Sequence, residues 1–492
     1  MSKELIVIGS GFAGISAAAN LAQAGYSVRI LEKNDMAGGR ARQFEEKGFL
    51  FDMGPSWYWM PEVFENFFNT FNKSHSDYYE LKRLDPSYRV YFAKDNFLDV
   101  PAKMNELEEM FENIEKGSAT YLKKFLKESE FKYEVGMNNL VHKPSQSIFE
   151  FLNLNVLKGI IKMDVFNSVS SYVRKYFKDP RLVQLLEFPV LFLGATPWKT
   201  PALYSLMNYA DMSLGTWYPM GGMHKIVEGM LDVAKEQGVK IEYSTEVEQI
   251  ITDGRNVTAV KTNKGDFQLD ILVAGADYHH VEQKLLPENT RVYSDDYWQK
   301  REMAPSCLIF YLGVNRKVNG LKHHNLFFDQ DFTKHANEIY ESPKWPDNPL
   351  FYVCCPSKTD ESVAPKGKEN LFILIPIAPG LEDGEDQRSK YFTLIMDRIK
   401  ENTGEDFKND IEFKRSYALD DFVKDYNAFK GNAYGLANTL RQTAILKPSL
   451  KNKKLNNLFY TGQLTVPGPG VPPSIISGEV VANEIKKIFN RA

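Results

Sequence analysis

The sequence predicts an α/β protein. A Rossmann-like domain built on a parallel sheet is interrupted by a discontinuous, mixed α+β domain that includes a long helical segment. Three observations predict this. The 492-residue chain opens with a strand, a glycine-rich turn, a helix and a second strand. A strand-rich block returns at 239–274 after a mainly helical stretch. A glycine- and proline-rich segment at 460–473 then leads into a last helical pattern.

The opening can be read residue by residue. Leu5 to Ile8 is an apolar run with the length of a buried parallel strand. Gly9 permits the tight turn, Gly11 permits close approach of a pyrophosphate, and Gly14 permits the helix to pack on the strand. Phe12 and Ala13 lie within the same loop. The helix runs to about Ala24 and stops at Gly25. Its first turn offers unpaired N–H groups to phosphate. Val28 to Leu31 reads as the second strand, and Glu32 follows Gly14 by 18 residues, beside Lys33. An acid here accepts hydrogen bonds from an adenosine ribose and repels a 2′-phosphate. This order of features predicts a dinucleotide site. Gly38-Gly39-Arg40, with Arg42, follows at once. It reads equally as an ordinary turn or as neutralising charge for a diphosphate.

These residues resemble the flavin-containing amine oxidase superfamily, whose FAD site pairs the glycine loop with a GGR turn. Phe51-Asp52-Met53-Gly54-Pro55-Ser56, Tyr218-Pro219-Met220-Gly221-Gly222-Met223 and Pro467-Gly468-Pro469-Gly470-Val471-Pro472 are similar to elements of its bacterial-type carotenoid (phytoene) desaturases. Ala274-Gly275-Ala276-Asp277 stands where that group has N-A-D. The resemblance spans residues 5 to about 485. It implies FAD held by the N-terminal loops together with Gly54, Pro55, Ser56, Val247, Gly462, Gln463, Val471 and Pro472, Val247 offering backbone to the adenine. There are two departures. Gln463 replaces the usual acid of the last flavin segment, and Val466 stands where many members have His.

The resemblance also implies an activity: desaturation of an acyclic carotenoid such as phytoene by hydride transfer to flavin, with quinone or oxygen as electron acceptor. A 1-hydroxycarotenoid 3,4-desaturase would carry nearly the same motifs. A prenyl-lipid binding protein on this fold is the alternative of a different class, and the retained GGR turn and closing segment argue against it. No catalytic residue is named. A polyene cation is stabilised by its own resonance, so no nucleophilic triad is required.

Composition agrees with a large enzyme. The net charge of −4, without a long basic run, argues against a nucleic-acid partner. The 33 Phe and 25 Tyr suffice to line an apolar tunnel as well as a core. Cys307, Cys354 and Cys355 suggest neither disulfides nor a metal site, and none of the 8 His shows convincing ligand spacing. His279-His280 reads as a loop pair. No signal peptide and no transmembrane helix are expected, and the sparse cysteines fit a reducing cytoplasm, with the chain expected to be peripheral on a membrane. The apolar stretch Ile148 to Phe177, with Lys158 and Lys162, reads either as a surface touching a membrane or as buried helix. The expected division is 1–80, 216–290 and 426–492 for the FAD domain, and 81–215 and 291–425 for the substrate domain.

Overall fold

The computed structural model describes residues 3–151 and 167–489. Five parallel strands form the central sheet, in the order Leu458–Tyr460, Ile271–Ala274, Glu4–Ile8, Ser27–Leu31, Lys240–Glu242. Glu4–Ile8 is central because it is apolar on both faces. Leu5 and Val7 are fully buried, and Ile6 and Ile8 nearly so. The first helix, Phe12–Gln23, is rich in alanine and packs against the C-terminal helix Val471–Phe489. Their approach depends on Gly478, where a Cβ would lie 2.4 Å from the carbonyl oxygen of Ala13. The Ser16 hydroxyl donates to the Ile475 carbonyl at 2.8 Å across the same seam. The two ends of the chain are thereby locked together.

The strand-rich block at 239–274 divides between two sheets. Val247–Asp253, Asn256–Thr262 and Gly265–Gln268 form a separate antiparallel sheet. Short turns at Gly254-Arg255 and Asn263-Lys264 join them as hairpins, and a hairpin cannot supply parallel neighbours.

The second large sheet has seven strands, in the order Ile411–Tyr417, Ser306–Val314, Glu369–Ile377, Phe351–Cys354, His324–Phe327, Tyr88–Ala93, Asn96–Val100. It is antiparallel except where His324–Phe327 runs parallel to Tyr88–Ala93. The strand Ser306–Val314 is buried along its whole length. Helices Met104–Ile114, Ser118–Asn139 and Pro180–Glu187 supply the helical part.

The stretch Ile148 to Phe177 divides. Leu152, Leu154, Val156, Leu157, Ile160, Ile161 and Met163 lie outside the described residues. Val169, Tyr172, Val173, Tyr176 and Phe177 are core, so that end is no membrane face. Phe149, by contrast, is 78% exposed. No helix among the described residues is long and apolar enough to cross a membrane.

Candidate cofactor and substrate cavity

One continuous cavity runs from the glycine loop at the end of the strand Glu4–Ile8 to the seven-stranded sheet. Of the residues expected at the cofactor, Gly9, Gly11, Phe12, Ala13, Glu32, Lys33, Gly39, Arg40, Gly54, Pro55, Ser56, Val247, Gly462, Gln463, Val471 and Pro472 all line it. Two do not. Gly14 lies against the strand, where a Cβ would sit 2.0 Å from the Gly9 carbonyl oxygen. That is the close packing read for it from the sequence. Arg42 is turned away and paired with Asp425, with its guanidinium over the Tyr426 ring.

The glycines differ in purpose. Gly11 has an ordinary extended backbone, and a Cβ built on it meets nothing within 4 Å. Its missing side chain leaves room in the cavity. Gly39 has φ +54°, and a Cβ there would press on the Gly11 Cα at 3.3 Å. Gly54 is closed by the Arg40 carbonyl, 2.5 Å from a built Cβ. The turn and the motif at Gly54 are therefore interlocked.

Glu32 is buried, and its carboxylate organises the loop itself. One oxygen accepts from the Ser10 N–H at 2.9 Å and the Ser10 hydroxyl at 2.7 Å. The other accepts from the Asn34 N–H at 2.9 Å and the Asn34 side chain at 3.0 Å. Lys33 donates to the Lys424 carbonyl and pairs with Glu246. Arg40 donates from one terminal nitrogen to the Asn432 carbonyl at 3.1 Å, while its buried Nε has no protein partner. Burial lowers its pKa, partly offset by Asp277 and Tyr426. A buried guanidinium with an unspent donor in a glycine-lined cavity fits a diphosphate. Gln463 is held by Asn432 at 3.0 Å.

The other end of the cavity is apolar and aromatic, with Trp57, Trp59, Phe188, Leu326, Phe328 and Tyr434 among its walls. Its charged lining residues, Glu32, Lys33, Arg40, Glu246, Asp277 and Asp425, belong to the nucleotide end. His335 lines the apolar end but is spent. Its Nδ1 accepts from the Leu350 N–H at 3.1 Å, its Nε2 donates to the Pro376 carbonyl at 3.0 Å, and burial pushes its pKa down to about 4. Burial also raises the Cys307 thiol, which stays protonated.

Sequence reasoning missed Trp57, Trp59, Asp425 and Asn427 as lining residues. The tryptophans directly follow Ser56, and that adjacency was a legible signal. Nothing near Asp425 marks it. His279-His280, read as a loop pair, sits in a short helical turn capped by Asp277, and His280 reaches the cavity. Strand pairing also brings together His323, His324 and Cys354, whose potential ligand atoms lie within 4.8 Å of one another. Chain spacing does not reveal that cluster.

Residues 12–486 match the sequence pattern of the flavin-containing amine oxidoreductases. The chain belongs to that family. It is 42% identical to a carotenoid 3,4-desaturase of Haloarcula japonica over 98% of each chain. It is 32% identical to a zeta-carotene-forming phytoene desaturase of Myxococcus xanthus, over 98% of this chain and 94% of that one. It is also 32% identical to a 4,4′-diapophytoene desaturase of Staphylococcus aureus, over 99% of each. These relatives place it in the carotenoid desaturase group of the family. Among solved structures, an oxidoreductase from Methanosarcina mazei shares the fold with a TM-score of 0.63 at 15% identity, over 98% of this chain and 100% of that one. Putrescine oxidase bound to putrescine does so with 0.61 at 10%, over 99% of each. The cofactor is FAD, and the unspent Arg40 donor and the room beside Gly11 fit it.

Proposed function

We propose that this FAD-dependent carotenoid desaturase introduces double bonds into an acyclic carotenoid, turning phytoene into more conjugated products. The observation that carries the reading is the division of the cavity. Its charged groups gather at the nucleotide end, and the half beyond is aromatic and apolar. An amine substrate would need a carboxylate or an aromatic cage built for a cation, whereas a polyene needs only length, shape and dryness.

Bound FAD supplies a hydride acceptor. The protein orients a C–H bond against it and excludes water. Loss of an allylic hydride leaves a cation spread along the polyene. The adjacent proton then leaves, and the new C=C extends the conjugation. Glu32, Ser10 and Asn34 hold the loop that would receive the adenosine, Arg40 would face the diphosphate, and Gly54 to Ser56 with Gly462 to Pro472 would enclose the flavin. The five-stranded sheet is the FAD domain, and the seven-stranded sheet with its helices is the substrate domain. The electron acceptor is a quinone or oxygen. The substrate resides in lipid, so the protein works in the cytoplasm at a membrane surface, and the exposed Phe149 supports that placement.

Holoenzyme supplied with phytoene and a quinone should yield pigments absorbing at progressively longer wavelength. Turnover of a 1-hydroxylated carotenoid with phytoene recovered unchanged would favour the 3,4-desaturase reading, which the relative from Haloarcula japonica supports. Inertness toward both, with flavin bound, would overturn the substrate assignment.

A further inference from the structure

Ser56 lines the cavity, and its oxygen accepts a hydrogen bond from the Tyr352 hydroxyl at 3.0 Å. Tyr352 has one proton, and the geometry directs it at Ser56, with the Cys354 thiol a second neighbour of the phenol. The 2.6 Å contact between the Tyr352 oxygen and Nδ1 of His324 is then one in which the imidazole N–H donates. The three side chains form a directed chain, His324 to Tyr352 to Ser56, whose last proton meets no acceptor among the described residues.

The far end of this chain is rigid. His324 is fully buried, and its ring stacks on Trp57 with centroids 4.2 Å apart and 11° between planes. His324 pairs with Cys354 across the sheet, so Tyr352, two residues earlier, shares its face. Sheet register and stacking together fix the imidazole, the imidazole fixes the phenol, and the phenol occupies the serine oxygen.

We propose that Tyr352 and His324 are positioning residues that hold the Ser56 hydroxyl as a fixed hydrogen-bond donor toward the bound flavin. The inference rests on the FAD-dependent reading above. Hydride transfer carries two electrons and one proton into the cavity, which leaves negative charge on the cofactor. A donor already aimed at that charge, in a water-poor site, stabilises it without reorganising. A serine free to rotate would lose much of this effect. The competing direction for the hydroxyl is a smaller cavity of about 20 Å³ behind Ser56, lined also by Asp52, Tyr218 and Cys354. That volume suits one water molecule.

The test is the midpoint potential of the FAD-loaded protein, measured by dye equilibration for the wild type, Ser56→Ala, Tyr352→Phe, the double variant and Ser56→Thr. Ser56→Ala and Tyr352→Phe should each make flavin reduction about tenfold less favourable, about 30 mV for a two-electron couple. The double variant should fall no further, because Tyr352 acts through Ser56. Ser56→Thr, which keeps the hydroxyl, should return the wild-type potential. An unmoved potential in Ser56→Ala means the hydroxyl faces the smaller cavity and overturns the proposal. Additive shifts in the double variant overturn the positioning role. If Tyr352→Phe does not fold, the comparison of Ser56→Ala with Ser56→Thr decides. Flavin bound with an unmoved potential sinks this proposal alone, whereas failure to bind flavin sinks the functional reading beneath it.

Discussion

The carboxylate of Asp52 caps the helix that begins at His224. One oxygen accepts from the Met223 N–H at 2.7 Å and the other from the His224 N–H at 3.0 Å. Two motifs more than 150 residues apart, one ending at Ser56 and the other at Met223, thus meet at a helix N-terminus, where unpaired donors and the dipole favour an acceptor. Gly222 makes the approach feasible. It has φ +102°, and a Cβ would lie 2.8 Å from a carboxylate oxygen of Asp52. Asp52→Ala should cost about 1–3 kcal/mol of stability by leaving buried donors unpaired. Urea denaturation of purified protein checks this, and a cost near zero would mean that water replaces the cap.

Gly11 and Gly14 should fail differently. Gly11→Val projects into open cavity, so the protein should fold, with a near-wild-type Tm without flavin, and lose FAD. Gly14→Ala drives a Cβ into the Gly9 carbonyl, so the fold itself should lose about 3 kcal/mol. Flavin absorbance and thermal melts, run side by side, separate the two. Stoichiometric flavin in Gly11→Val would place the phosphates elsewhere.

Glu32→Ala should weaken FAD binding by about 1.5–3 kcal/mol. The loss has two sources: the ribose contact expected from the sequence, and the release of Ser10 and Asn34 from their shared anchor. Fluorescence titration gives the Kd. An unchanged value would move the ribose contact to another group.

Stability should depend on pH through Asp211. This side chain is buried, accepts from the Tyr88 hydroxyl at 2.6 Å and the Thr216 hydroxyl at 3.3 Å, and has its carboxyl pushed up to about 7 by burial. A carboxyl raised on folding contributes stability that is complete below its unfolded value near 3.8 and is lost as pH rises through 7. Asp211→Asn should flatten the stability profile between about pH 4 and pH 7. Parallel slopes for variant and wild type would show that another group carries the dependence.

Membrane association should depend on Phe149. Phe149→Asp should reduce co-sedimentation with liposomes while leaving FAD content intact, since this side chain is exposed. Leu157→Asp with Ile161→Asp, outside the described residues, extends the test along the same stretch. Loss of flavin in that pair would assign those positions to the core.

The cofactor half of this protein was legible in the sequence because it is built from backbone. Gly9, Gly11, Gly14 and Gly39 are needed for what they lack, and a missing side chain leaves a mark at a fixed spacing. The strand Glu4–Ile8, the helix Phe12–Gln23 and the acid Glu32 follow within one local unit, so their order alone defines the loop. The substrate half is different. Its wall is assembled by register between distant strands, such as His324 opposite Cys354, and no local spacing encodes which strands become neighbours. The sequence set Arg40 and Arg42 side by side as candidates for a diphosphate contact or an ordinary turn, but tertiary packing paired Arg42 with Asp425 and left Arg40 lining the cavity. It likewise offered Ile148 to Phe177 as one apolar stretch, and only packing made its end core. Composition records that a side chain is apolar or charged. Which surface or partner it meets is decided by contacts between segments far apart in the chain.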